Sequence, residues 1–124
     1  MKFKVRIWAN DQMTSWEQLA DDDECISLYN ILNGEYEHAV VMLYTTSNDR
    51  NGKEVYAGDI IEWKRGGGVI FVVVWSEKDC AFSLLRHLPK GTCTYCNRET
   101  LKDCEVLGNI YENPKLIKLL GKSK

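Results

Sequence analysis

The residues whose types and spacing offer chemistry are sulfur ligands. Cys93-Thr94-Tyr95-Cys96 is a C-x-x-C, with Cys80 before it, Cys104 after it and His87 between Cys80 and the motif. Two thiolates at that spacing on a turn can hold half of a tetrahedral zinc site, and Cys80 and Cys104, in strands flanking the loop, would close it from the base. Structural zinc sites ordinarily supply a second close pair, whereas Cys80 and Cys104 are single residues, so the plainer reading is reduced cysteines in a loop and in strands. A thioredoxin-like redox motif would sit at a helix start in a βαβ unit, a context this chain lacks. With Cys25 the count is five, an odd number that argues against a complete disulfide framework.

Other candidate chemistries are thinner. Asp21-Asp22-Asp23-Glu24 gathers carboxylates without the alternate spacing and glycine of a calcium loop, and reads as a solvated acidic loop. Lys64-Arg65-Gly66-Gly67-Gly68 lacks the spaced glycines and the lysine-hydroxyl pair of a phosphate loop, and reads as a flexible hairpin loop. His38 falls in a strand pattern, where a lone histidine is a surface or hydrogen-bonded residue. No nucleophile elbow, H-E-x-x-H or spaced glycine fingerprint is present, so the chain reads as non-catalytic.

The elements that would position these residues are mostly strands. Phe3, Val5 and Ile7 alternate with Lys4 and Arg6 and lead to Trp8, the period-2 pattern of a half-buried strand. Asn10-Asp11 breaks it, and Met13 to Trp16 reads as a short returning piece. Cys25 to Leu32 fits strand or helix taken alone. Asn33-Gly34 followed by the valine- and aromatic-rich Tyr36 to Tyr44 then predicts a β-hairpin. Thr45 to Gly52 reads as a polar turn cluster. Asn51 to Trp63 predicts a tight turn, a short extended piece, a second turn at Gly58-Asp59 and a strand from Ile60, with Asp59 bonding nearby backbone.

Val69 to Trp75 is the most apolar run and predicts a strand buried on both faces, with Cys80 to Leu85 returning beside it. Arg86 to Thr100 predicts a long connection without regular structure. Leu101 to Leu107 predicts a strand that Gly108 ends. Asn113-Pro114 predicts a short helix with an asparagine cap, an apolar face at Leu116, Ile117, Leu119 and Leu120, and a stop at Gly121. The pattern is that of a mainly β protein, α+β at most.

Composition narrows the partners. Sixteen basic and eighteen acidic residues give a net charge of -2, so no global field draws the chain to nucleic acid or an anionic membrane. At 124 residues, with 44% hydrophobic content, it is long enough to bury a core without staples. No apolar run approaches the roughly 20 residues of a membrane span, and Met1-Lys2-Phe3-Lys4 leads into alternation instead of a signal-peptide core, which predicts a cytoplasmic protein.

Three motifs in order carry a family resemblance. Asn51-Gly52-Lys53-Glu54-Val55-Tyr56-Ala57-Gly58-Asp59-Ile60-Ile61 closely resembles the N-G-K-E-I-Y-E-G-D-I-V signature of the YopX-like phage proteins. Glu105-Val106-Leu107-Gly108-Asn109-Ile110-Tyr111-Glu112-Asn113-Pro114-Lys115-Leu116 is similar to that family's V-I-G-N-I-Y-E-N-P-E-L ending, and Lys2 to Trp8 to its I-K-F-R-A-W opening. The signature positions are thus Asn51, Gly52, Tyr56, Gly58, Asp59, Gly108, Asn109, Tyr111, Asn113 and Pro114. Ala57 departs from the usual glutamate, Tyr44-Thr45-Thr46-Ser47 follows the usual Y-T-G-L loosely, and Cys93 to Cys96 falls in the variable region.

The resemblance implies a small phage or prophage protein with an N-terminal β lobe, residues 1–50, and an SH3-like barrel with a C-terminal helix, residues 51–124, sharing a core. It implies no known reaction. With four tryptophans and six tyrosines as interface anchors, the leading expectation is a protein-interaction module acting on a host or phage protein. The alternatives are a nucleic-acid-binding SH3-like module using Lys64-Arg65 and the Lys115 to Lys124 tail, and a zinc-stabilised loop protein. Edge strands and aromatics also predict a homo-oligomer.

Overall fold

The computed structural model describes residues 4–21, 39–65, 67–86 and 93–122. The expected hairpin turn at Asn33-Gly34, the ambiguous Cys25 to Leu32, His38, His87 and most of the acidic run lie outside them.

The first sheet has the order β2-β1-β3-β4, all antiparallel. It comprises β1 (Val5–Ala9), β2 (Gln12–Thr14), β3 (Val40–Asn48) and β4 (Glu54–Tyr56). Asn10 and Asp11 both take positive φ, as a two-residue hairpin turn requires, and so return β2 onto β1 as expected. The short helix α1 (Trp16–Asp21) follows, opened by a reciprocal Ser15–Gln18 capping box.

β3 runs past the expected turn at Thr45, because Thr45 and Ser47 are not a solvated turn but buried strand residues. Thr45 Oγ1 donates to Val55 O at 2.8 Å, which satisfies a hydroxyl inside the sheet. Thr46 adopts φ 69° where the register shifts between Tyr44 and Asn48, so the polar cluster makes a β-bulge.

The second sheet has the order β8-β7-β6-β5-β9. Its strands are β5 (Asp59–Trp63), β6 (Val69–Ser76), β7 (Ala81–Leu85), β8 (Cys93–Tyr95) and β9 (Cys104–Asn109). A four-strand meander with the fifth strand returning beside the first is the strand order of an SH3-like barrel, here an open half-barrel. β6 is central and buried on both faces, as its apolar run demanded. Phe71 and Val73 face one core with Val55, Ile61, Leu84, Leu101 and Cys104, while Ile70 and Val72 face another with Ile60 and Leu120.

Four expectations about the C-terminal half are corrected. The connection from Arg86 to Thr100 contains β8 and the helix α2 (Arg98–Lys102), whose cap Asn97 accepts from Thr100 N at 2.9 Å. Leu101 is therefore helical and buried, and the strand begins at Cys104. Gly108 does not end that strand. It pairs with Ile60, and Leu107 is the extra residue of a bulge between the Ile60 and Ile61 pairs. Pro114–Leu119 forms a 3-10 helix with proline at its start, as the asparagine-proline signal predicted, but the Asn113 side chain does not cap it.

Candidate functional site

The signature stretch stitches the two sheets together. Ala57 N donates to Leu43 O of the first sheet at 2.8 Å, and the next residue, Gly58, donates to Val73 O of the second at 2.7 Å. Gly58 holds φ 97°, and a Cβ there would meet Met42 Cε at 2.7 Å and Tyr111 Cε2 at 3.2 Å. Only glycine combines that backbone with that approach. Tyr111 in turn stacks on Trp8, with ring centroids 6.2 Å apart.

Beside this joint lies a buried charge network. Asp59, 1% exposed, pairs with Arg6 of β1 and accepts from Tyr56 N at 2.8 Å. Burial pushes its carboxyl up, and Arg6 and the Tyr56 amide pull against that. Arg6 also lies 4.5 Å from the centre of the Tyr56 ring, a cation–π contact. Burial first, then Glu54, raises the Tyr56 phenol, which donates to Glu54 at 3.1 Å. Lys4 donates to the same carboxylate at 2.6 Å.

A second carboxylate pins the loop 49–53 to β9. Asp49 Oδ1 accepts from Asn51 N at 2.8 Å and Lys53 N at 2.9 Å, and its Oδ2 accepts from Val106 N at 2.9 Å. Arg50 N adds a bond to Cys104 O at 2.9 Å. Asp49, its oxygens bonded to backbone, also lines the neighbouring surface.

That surface is a polar trough of two depressions that share Lys102. One, of about 390 Å³, is lined by Tyr44, Thr46, Asn48, Arg98 and Lys102 among others. The other, of about 450 Å³, is lined by Arg50, Lys64, Arg65, Lys102 and Asp103. Arg98 and Lys102 stand four apart on α2 and so share a face. Lys64 is held by Glu62 and Glu105, and Arg65 by Asp103. Arg50, Arg98 and Lys102 make no ion pair among the described residues. The arrangement is a groove with five cations and two carboxylates, Asp49 and Asp103, in its lining.

The model of the YopX protein family matches residues 2–118. The chain belongs to the YopX family. Two solved structures share the YopX fold seen here. Protein EF1440 from Enterococcus faecalis is 20% identical, with a TM-score of 0.63 over 94% of this chain and 99% of that one. Protein YopX from Bacillus subtilis is 19% identical, with a TM-score of 0.57 over 91% of this chain and 96% of that one. No curated protein sequence matches significantly.

The signature residues of this YopX-family chain come together, and most hold structure. Asn109 Oδ1 accepts from Tyr111 N and Glu112 N, and Asn113 Oδ1 accepts from Asn109 N at 3.1 Å. Gly108 leaves the space that the Asn113 side chain fills. Tyr56, Gly58 and Asp59 build the joint, Asn51 N bonds Asp49, Gly52 turns the loop at φ 82°, and Pro114 opens the 3-10 helix.

The expected four-cysteine set is separated. Cys80 is not in a strand. It is exposed in the β6–β7 turn at φ 50°. Cys104 starts β9 opposite Trp63, which pairs with Val69 at the far end of β6. The eight residues of β6 span on the order of 20 Å, too far for one metal ion. Cys96 and Cys104 do share a core, and burial pushes their thiols up to about 11 and about 12. Cys104 Sγ donates to Thr100 O at 3.2 Å. Cys93 lies in β8. Among the described residues no three His, Cys, Asp or Glu side chains gather as metal ligands, and no helix is long and apolar enough to cross a membrane.

Of the cations in the trough, Lys64 and Arg65 stood out in the sequence, while Arg50, Arg98 and Lys102 did not. The i, i+4 spacing of Arg98 and Lys102 was the available signal, hidden because that stretch read as loop.

Proposed function

We propose that this YopX-family protein is a non-catalytic interaction module of a phage or prophage, acting in the host cytoplasm on a host or phage protein. The observation that supports it is Trp75. At 44% exposure it is the large hydrophobic side chain left open to solvent among the described residues. Its cross-strand partner Phe82 holds it edge-to-face at 5.1 Å, so the indole is presented in a fixed orientation at the end of the β6–β7 hairpin. A rigid, solvent-facing tryptophan is the kind of group that anchors protein interfaces. Among the described residues, sheet edges at β2, β4 and β8 also offer backbone for pairing with a second copy.

A pull-down from host lysate, with and without phage infection, tests this. The wild-type bait retains a specific protein and the Trp75→Ala bait loses it. Equal recovery on both baits overturns the assignment. Light scattering at micromolar concentration tests self-association, and a purely monomeric chain removes that part.

A second reading, nucleic-acid binding, is favoured by the local segregation of charge. The chain is net acidic, yet Arg50, Arg98 and Lys102, without an ion pair among the described residues, line with Lys64 and Arg65 two depressions that share Lys102.

A further inference from the structure

Five cations, Arg50, Lys64, Arg65, Arg98 and Lys102, line the two depressions against two carboxylates, Asp49 and Asp103, a local positive excess on a chain with a net charge of -2 that an anion would offset. Three observations say which anion. The two depressions are neighbours that share Lys102, so the surface offers two adjacent anion positions, not a single pocket. Each volume lies in the range of small-molecule sites, well beyond what one carboxylate fills. The lining is mixed, with the Tyr44 ring and the hydroxyl and amide groups of Thr46 and Asn48 beside the cations. A single strand is held by cations along its backbone and by aromatic faces under its bases, and Tyr44 puts a ring in the lining beside Arg98 and Lys102.

Thr46 carries a further observation. It is β-branched yet holds φ 69° at the bulge of β3 in the wall of the groove, a conformation costing about 1–2 kcal/mol. Bulges re-aim side chains, and this one places Thr46 and Asn48 on the trough.

The geometry points to the trough between β3, the loop 49–53 and α2 as a groove for the backbone of single-stranded nucleic acid. Arg50, Arg98 and Lys102 are the phosphate contacts. This rests on the nucleic-acid reading above and adds the site and the form of strand. Depressions of about 390 and 450 Å³ are each of small-molecule size, room for the backbone of one flexible strand and not for a whole duplex.

The experiment is fluorescence anisotropy of a labelled oligothymidine with the full chain across a salt series. Binding strengthens as salt falls. Arg50→Gln reduces the slope of log affinity against log salt by about 0.7, one phosphate contact on a single strand. Arg98→Glu with Lys102→Glu weakens binding at least about tenfold, whereas Lys78→Gln, exposed in the β6–β7 turn outside the trough, leaves it unchanged. Lys102→Gln is the gentler second variant, with circular dichroism reporting the fold of each.

No wild-type binding at low salt overturns the nucleic-acid reading itself. Binding that survives Arg98→Glu with Lys102→Glu overturns the trough assignment alone. A duplex or polyglutamate bound as tightly as the single strand, and lost in the same variant, overturns the choice of occupant.

Discussion

The guanidinium of Arg6 in the first sheet is paired with the carboxylate of Asp59 in the second, across the joint where the sheets meet. Asp59 is 1% exposed, so this pair is one of the few charged contacts that water does not screen. Removing one partner strands the other. Arg6→Ala is expected to destabilise the fold by about 3–5 kcal/mol. A smaller loss is expected from Asp59→Asn, since the amide oxygen still accepts from Tyr56 N. Urea denaturation checks both, and an Arg6→Ala loss below about 0.5 kcal/mol, the size of a surface change, contradicts the assignment.

Asp49 is expected to matter through backbone. Asp49→Ala leaves the amides of Asn51, Lys53 and Val106 without their acceptor. A cost of about 1–3 kcal/mol for each fully buried donor, reduced for donors that reach water, puts the loss near about 3 kcal/mol. Hydrogen exchange localises the effect. Those three amides lose protection in Asp49→Ala and keep most of it in Asp49→Asn if the bonds described hold the loop.

Gly108 is required for space. A Cβ there overlaps Asn113 Oδ1, sits 2.8 Å from Asn113 Cγ and touches Leu116 at 3.0 Å. Gly108→Ala therefore displaces Asn113 and breaks its bond to Asn109 N, at an expected cost of about 1–3 kcal/mol. In a double-mutant cycle with Asn113→Ala the two losses are less than additive, because the second substitution removes the clash. Strict additivity would show that the two positions are independent.

The cysteines predict both a reactivity order and a pH dependence. Cys80 is exposed and reacts first with a thiol reagent near pH 8, while Cys96 and Cys104 are labelled only on unfolding. Burial raises their folded values from 9.0 to about 11 and about 12. The folded chain thus holds these protons more tightly than the unfolded one. Their contribution is fully present below about pH 9 and is lost as pH rises through about 11 and 12. Denaturation midpoints should fall between pH 8 and about pH 10.5, and Cys96→Ala should flatten the fall. A midpoint that rises with pH contradicts this sign.

Much of the architecture is written in local pattern. The alternation from Val5 to Ile7, the apolar run at Val69 to Val74, and the turns at Asn10-Asp11 and Gly58-Asp59 report their own conformation, because burial period and left-handed backbone are properties of a few adjacent residues. Asp59 bonding the Tyr56 amide was legible for the same reason, being a contact three residues away. The family was legible too, since its motifs lie in short contiguous stretches.

Tertiary structure decided what depends on residues distant in the chain. Thr45 and Ser47 look like turn residues until Val55 O, ten residues on, accepts a hydroxyl and lets the strand continue. Leu101 looks like a strand residue until Asn97 caps a helix that buries it against Phe71 and Val55. No local pattern could show that Arg6 would find Asp59 or that Cys80 and Cys104 would stand at opposite ends of β6. Nor could it show that Arg50, from a loop fixed by Asp49, would meet Lys102 of α2 in one trough. Pairing energy depends on distances that only the closed chain sets, and the sequence carries the charges without their positions.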